Sequence, residues 1–558
     1  VRQGISCELE RGAWILQRRL ANFNIWTVGA VVIILMLFLP NLTIVTGLFT
    51  PSNDNWEHMK EFVLRQFVIN SLILTLATAF FTILIGLSLA WLIAQYDFPF
   101  RRFLKWALIL PLSIPPFIGA YTYHGILNFT GAIQTTLREG FGMELNPAYF
   151  DIMNLPGAIF IYTMFLYPYV YTITQVYLSE QSASLIESTR LLGKGPWRTF
   201  FQVVLPISRI SIIAGASLVV LEVLNDYGVV KYYGIQTFTT AIFQSWFGLG
   251  DLDTSIKLAA SLMGFVIIIL LIEKLLRGRR QYSYFSTKVR PLQLIPLSGW
   301  KGFAAAGYGM VILSLGFFIP VIQLIDWTVL TFGTIPMEEF MRYVQNSVFV
   351  AGLSATLIVI LALIVGNFAR MVQGKYTKLL PKLTVLGYSI PGAVIAVAVV
   401  TAFVALDGYL APLYVAIGLE TTLVLSVSIV LLLAAYIIRF FAIGYNSIET
   451  GYDKIGTNFR DASRLLGAGP TKTFFKVDVP MMKGAIISGF ILVFIDVLKE
   501  IPLTLILRPF NFDTLSTKAF QYASDEKIME ASQASLLIVG ISALAIVIFY
   551  KILEKEMD

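Results

Sequence analysis

Five ionisable residues stand inside otherwise apolar stretches of this sequence: Glu222 and Asp226 in one, and Asp496, Lys499 and Glu500 in another. A charge within a bilayer core costs roughly 2.5 to 3.5 kcal/mol even on insertion scales, so such residues are rare and either pair with one another or line a cavity. Their arrangement is repeated, because Glu222 matches Asp496 and Asp226 matches Glu500 at one offset of 274 residues. Each acidic pair is spaced i, i+4, which on a continuous helix puts both carboxylates on one face. Two pseudo-equivalent helices would then aim four carboxylates at a common axis. Carboxylate oxygens suit hard cations. Soft ligands are scarce: Cys7, His58 and His124 are the only cysteine and histidines, which excludes disulfides and zinc-type clusters. Two readings follow. In one, Glu222, Asp226, Asp496 and Glu500 form an acidic vestibule along a substrate path that receives a hard cation. In the other, Lys499 neutralises one or two of them and the rest face water without touching a substrate. His124 reads as a packed, hydrogen-bonded helix residue, and Tyr227, Tyr232 and Tyr233 as interfacial anchors rather than phenolate ligands.

The elements that carry these residues follow from composition. Of 558 residues 57% are hydrophobic and only 13% charged, about half the charge of a soluble protein. Apolar runs of about 20 residues, enough to cross a bilayer, recur along the whole chain. We expect an all-α polytopic membrane protein of about twelve spans, near 25–48, 66–94, 106–130, 155–178, 207–230, 256–273, 303–330, 345–368, 384–405, 411–437, 484–507 and 531–550. Around these spans 31 of the 41 Lys and Arg fall on the side holding both termini and nine on the other. Cytoplasmic loops are enriched in Lys and Arg, so both termini are expected in the cytoplasm. The same bias accounts for the net charge of +7, leaving nucleic acid without support as a partner and membrane lipid as the surroundings. At 1.5 Å per residue, Glu222 lies about 24 Å and Asp226 about 30 Å beyond Pro206 at the cytoplasmic edge. The acids are thus expected in the outer half of a ~30 Å core.

The chain repeats at half its length. NSLILTLATAFFTILIG (70–86) corresponds to NSVFVAGLSATLIVILA (346–362), and LSIPP (112–116) to YSIPG (388–392). STRLLGKGPWRTFFQVVLP (188–206) matches ASRLLGAGPTKTFFKVDVP (462–480) at 11 of 19 positions. The expected division is a first half, 1–276, a basic, proline-containing cytoplasmic linker, 277–302, and a second half, 303–558, with six spans in each half. Parallel repeats of this kind face each other across an axis along the membrane normal, with the route between them.

The repeated polar segment follows the fourth span of each half. It holds Arg190 or Arg464, then Gly193 or Gly467 followed by a Gly-Pro, and closes on Pro206 or Pro480. Glycine ends a short helix and proline begins the next. The result is a small helix across the cytoplasmic face, presented to a partner; the alternative is an interfacial helix that only anchors the loop in lipid.

With Glu187-Ser188-Thr189, Gly193 and Leu205-Pro206, and with Asp461-Ala462-Ser463, Gly467 and Val479-Pro480, both copies resemble the signature loop of permease subunits of binding-protein-dependent ABC importers. That loop reads Glu-Ala-Ala, then a Gly, then a hydrophobic-Pro pair; Ser and Thr replace some alanines here, and Asp461 replaces Glu. The resemblance implies a type I importer fold. It also implies coupling loops at about 180–206 and 446–480, each docking on one of two ATP-binding subunits. The chain has no G-x-x-x-x-G-K-[ST] phosphate loop, so ATP and Mg are expected on those partners, with no cofactor bound here and no enzymatic activity of its own. LEVLNDYGVVKYYG (221–234) and FIDVLKEIPLTLILRPFNFDTLSTKAFQYAS (494–524) further resemble the fused ferric-iron permeases. This implies Fe3+ as substrate, a periplasmic iron-binding protein as outer partner and a bacterial inner-membrane location. Permeases for thiamine, phosphonate, sulfate or molybdate share the architecture. An oxyanion route should offer cations or amides, whereas these spans offer four acids against Lys499. An ion-coupled secondary transporter and a scaffold without substrate are the alternatives from other classes.

Overall fold

The computed structural model describes residues 25–47, 49, 51–143, 146–180, 195–277, 294–371, 390–419, 421–456 and 458–557. Helix dominates because, in hydrocarbon, every backbone N–H and C=O of a spanning segment must bond within that segment. In chain order the main helices are α1 (Ile25–Gly47), α2 (Leu64–Gln95), α3 (Pro116–Leu127), α4 (Leu155–Glu180), α5 (Leu205–Asn225), α6 (Gly228–Tyr232), α7 (Leu252–Arg277), α8 (Trp300–Leu313), α9 (Ile319–Leu330), α10 (Met337–Met371), α11 (Gly392–Ala416), α12 (Ile429–Ile455), α13 (Asn458–Leu465), α14 (Lys483–Leu498), α15 (Pro502–Leu507), α16 (Leu515–Ser524) and α17 (Ile528–Met557).

Among the described residues nine helices are long and apolar enough to cross a membrane. Two bent pairs pass the same test together: Arg101–Ser113 with Pro116–Gly140 at 91°, and Pro470–Met481 with Lys483–Leu498 at 73°. Counting each bent pair as one span gives up to eleven, and the shorter apolar helix Ile25–Phe38 falls where the first span is expected. Only 33% to 61% of each single span's most apolar window is buried. The rest, including Phe80, Leu84, Ile322 and Val329, faces outward as lipid-facing surface does.

The tenth span differs from expectation, running over Ile429–Ile455 rather than 411–437. The cause is Asp407, fully buried within α11, which accepts from the Tyr414 hydroxyl at 2.8 Å and from the Leu425 and Ser426 N–H groups at 3.1 and 2.9 Å. These bonds pin the turn that separates α11 from α12.

The helices group into two compact units, Val1–Phe49 with Gln345–Phe512, and Thr50–Val344 with Asp513–Asp558. These units cross the repeat boundaries of the sequence. In the first, α1 of the first repeat joins helices of the second: Trp26 Nε1 donates to Thr471 Oγ1 at 3.1 Å and its ring lies 4.6 Å from that of Phe474. Gly444 lets α12 approach α10, since a Cβ there would lie 2.6 Å from Ile358 Cγ2. In the second unit α8 and α9 join the first repeat. Ala306, Ile312 and Leu313 share a core with Leu104, Leu178 and Val204, and the Tyr123 hydroxyl donates to the Leu315 carbonyl. There α2, α4 and α5 meet at Val170, against which a Cβ on Gly86 or Gly215 would come within 2.8 or 2.7 Å. Small residues at such crossings let backbones close up where lipid supplies no hydrophobic drive. A two-residue parallel strand pair, Tyr96–Asp97 with Ile295–Pro296, fixes the chain just after the linker to the end of α2. The linker itself, apart from 277 and 294–302, lies outside the described residues.

Candidate functional site

The expected continuous fifth and eleventh spans are both broken, and the break falls on the acids. Helix α5 ends at Asn225, and Asp226 takes extended backbone, φ −70° and ψ 138°. Helix α14 ends at Leu498; Pro502, which has no N–H to give, then starts α15. The i, i+4 relation therefore does not put both acids of a pair on one face. Asp226 and Glu500 turn instead toward the short helix that follows each of them.

Asp226 Oδ2 accepts from the Val229 N–H at 2.8 Å, the second residue of α6, and from the buried Tyr162 hydroxyl at 2.7 Å. Glu500 Oε1 accepts from the Leu503 N–H at 2.9 Å, while Oε2 accepts from Thr504 N–H at 3.1 Å and Thr504 Oγ1 at 3.0 Å. Each carboxylate thus satisfies N–H groups that a helix leaves open at its start, where negative charge is also favoured. The supporting tyrosines correspond as well, since Tyr162 and Tyr436 stand 274 residues apart and the Tyr436 hydroxyl bonds Thr504 Oγ1.

Glu222 and Asp496 stay on the last turns of α5 and α14, both half-buried. Lys499 Nζ lies 3.1 Å from Asp496 Oδ1, an ion pair about a quarter exposed on either side. Among the described residues neither unit gathers three His, Cys, Asp or Glu side chains into a metal-holding group. His124 Nδ1 lies 2.7 Å from the Tyr232 hydroxyl. Tyr227 and Tyr233 are buried, Tyr227 stacking 3.7 Å from the Phe243 ring and Tyr233 donating to the Ala120 carbonyl at 3.1 Å. They pack the inside of their unit rather than anchor it at an interface, because the break after Asp226 folds them inward.

Arg439 lies two residues beyond the expected tenth span, 411–437. It is a buried residue in the middle of α12. Gly392 opens the space for it: a Cβ there would lie 2.2 Å from Arg439 Nη1 and 3.2 Å from Glu500 Oε1. The guanidinium attracts the Glu500 carboxylate. At the equivalent position of the first repeat stands Phe165, whose ring needs the same relief from Gly119. The single arginine within LLLAAYIIRFFAIGY (431–445) was the available signal. With Arg439 counted, the unit that holds Asp496 and Glu500 also holds two cations, Lys499 and Arg439.

Of the repeated loops, Glu187, Arg190 and Gly193 lie outside the described residues; Pro206 is exposed at the start of α5. The second loop is described. Asp461 and Arg464 are exposed on α13, and Pro480 is exposed in the short helix Val479–Met481. Gly467 ends α13 with φ +79°. Its N–H reaches Arg464 O at 2.9 Å, and Ala468 N–H reaches Ser463 O at 3.1 Å, a Schellman closure that needs a left-handed residue. Beside it Leu465 and Leu466 are 89% and 88% exposed. Just before α7 Asp251 accepts from Asn53, Asn55 and Thr254 side chains at 2.7, 2.8 and 2.7 Å. Burial alone would raise its pKa, yet these donors and the Thr254 N–H outweigh it and hold the carboxyl below the usual range.

Duplicated helical halves, with ionisable groups at paired helix breaks, define a polytopic membrane transport subunit. The chain belongs to the family of inner membrane components of binding-protein-dependent transport systems, whose pattern it matches twice, over residues 82–276 and 358–558. It is similar to the Fe(3+)-transport system permease protein FbpB 2 of Haemophilus influenzae, with 27% identity over 88% of this chain and 90% of that protein. It is also similar to the molybdenum transport system permease protein ModB of Escherichia coli K12, 28% identical over 29% of this chain and 69% of that one. A probable sulfate transport system permease protein of Chlorokybus atmophyticus is 27% identical over 36% of this chain and 69% of its own.

Proposed function

We propose that this chain is the membrane-spanning permease of an ABC importer that moves ferric iron, delivered by a periplasmic binding protein, into the cytoplasm. The observation that carries the reading is the tandem match: similarity to the iron permease runs through both repeats and nearly the whole of each chain, while the molybdenum and sulfate relatives align over about a third. Two signature loops in one chain fit two ATP-binding subunits, which would hold ATP and Mg. The excess of Lys and Arg on one side favours cytoplasmic termini and loops. Glu222 and Asp496, on the last turns of their helices, are the acids best placed to meet a cation. Asp226 and Glu500 would act on the path by shaping the breaks.

An oxyanion cargo is the second reading, favoured by the sulfate and molybdenum relatives and by the buried Arg439. Vesicles holding the chain with its ATPase and binding protein test both readings. ATP-dependent uptake of labelled iron, with no uptake of molybdate, sulfate or thiamine, is the expected result. Uptake of an oxyanion without iron overturns the cargo, and uptake driven by an ion gradient without ATP overturns the class.

A further inference from the structure

The two repeats carry opposite chemistry at matching positions around their polar segments. In the first repeat Ala94, Leu178 and Val204 are apolar and all buried in one hydrophobic core. At the corresponding positions the second repeat has Arg370, Tyr452 and Asp478, and Arg460 on α13 stands where the first has Ile186. Arg460 is 5% exposed and Asp478 1% exposed. The Arg370 guanidinium lies 4.9 Å from the centre of the Tyr452 ring. Asp478 is drawn electrostatically to Arg460 and Arg370. Yet neither carboxylate oxygen of Asp478, nor Nη1 of Arg460 or Arg370, nor the Tyr452 hydroxyl makes a hydrogen bond.

This is an unusual way to hold a helix. A buried charge cluster is commonly no more stabilising than apolar residues of similar volume, and the first repeat has buried apolar residues at three of the matching positions. A satisfied network would act as cement; here opposite charges face each other without closing. Their position matters too. Asp478 ends a widened helical turn, Phe474–Asp478, whose counterpart Phe200–Val204 ends on Val204, and such turns recur at functional sites. Arg460 rides on the loop helix, whereas Asp478 sits on the segment that leads into α14 and its acidic break.

We propose that Arg460 and Asp478, with Arg370 and Tyr452, are positioning residues that link the second loop to α14 electrostatically, so that motion of α13 is passed to α14 through these charges. The proposal rests on the importer reading, in which these loops dock on the ATPase.

The test uses the full complex in vesicles, measuring assembly, ATP hydrolysis and uptake together. The isosteric variant Asp478→Asn should assemble normally and hydrolyse ATP, but lower the uptake per ATP at least fivefold. The second variant carries the first repeat's own set, Arg370→Ala, Tyr452→Leu, Arg460→Ile and Asp478→Val. It should be at least as heat-stable as the parent and equally uncoupled. If that apolar set supports parental uptake per ATP, the charges are packing alone and the proposal is overturned; a parental ratio in Asp478→Asn overturns it as well. Failure of the importer reading shows separately, as absence of ATP-dependent uptake in the unsubstituted complex.

Discussion

Replacing each capping acid by its amide should have unequal effects in the two halves. Both donors to Asp226 converge on a single oxygen, Oδ2. In Asp226→Asn the amide oxygen can take that place and keep both bonds, leaving mainly the loss of charge at a helix start, about 0.3–1 kcal/mol. Val230 N–H also approaches this carboxylate, more weakly than the Val229 N–H and Tyr162 hydroxyl that bond Oδ2. Glu500 uses both oxygens, one for Leu503 N–H and the other for Thr504. In Glu500→Gln the NH2 must face one of these donors, leaving a buried N–H unpaired at about 1–3 kcal/mol. That corresponds to roughly a 5- to 150-fold change in an opening equilibrium. Losing the negative charge beside Arg439 adds to it. Hydrogen exchange in lipid nanodiscs reads the outcome at individual amides. Leu503 and Thr504 should exchange about 5- to 150-fold faster in Glu500→Gln, and Val229 by less than about fivefold in Asp226→Asn. Equal acceleration in both variants, or none at Leu503 and Thr504, refutes the capping geometry.

Joint replacement Glu222→Gln and Asp496→Asn leaves both caps intact and should cut iron uptake at least tenfold with assembly unchanged; parental uptake rejects an acidic path. Gly467→Leu forces a side chain into left-handed backbone at about 1–2 kcal/mol and should leave ATP hydrolysis running with uptake reduced, whereas tight coupling in this variant counts against a docking role for α13. Gly215→Leu drives atoms into the Val170 backbone and should cost about 1–3 kcal/mol, seen as a lower melting temperature, while Gly264→Leu, with open space around it, should change nothing. Because the Asp251 pKa is depressed, its stabilisation is present above the ordinary carboxylate value of about 4 and fades as pH falls through the lower folded value. Exchange of the 53–57 amides should therefore rise below about pH 4, and Asp251→Ala should remove that dependence.

The repeat was legible because duplication preserves residue identity at a fixed offset, and the acids because ionisable residues stand out against an apolar run. The breaks were harder to see, since an i, i+4 acid pair reads alike on a continuous helix and across a cap. Pro502 in KEIPLT was the local signal for one break; Gly228 in NDYGVV was a weaker one for the other. Arg439 and Asp407 each lie two residues beyond an expected span, 411–437 and 384–405, because apolar runs alone do not mark where a helix ends. The exchange of first helices left no mark, because an apolar helix advertises burial in lipid but not which neighbour it will meet. Only Trp26 and Trp300, 274 residues apart, hint that both first helices are built alike.

The crossing of α1 into the second repeat's helices has a consequence for biogenesis. Its neighbours in α11 begin at Gly392, 345 residues after Gly47. At about 5–20 residues per second, the ribosome needs roughly 17 to 70 seconds to deliver them. Through that interval α1 waits in the bilayer without its final neighbours, so the unit it belongs to cannot close until the second repeat is made. Fusing two permeases into one polypeptide keeps that waiting helix tethered to the neighbours it needs.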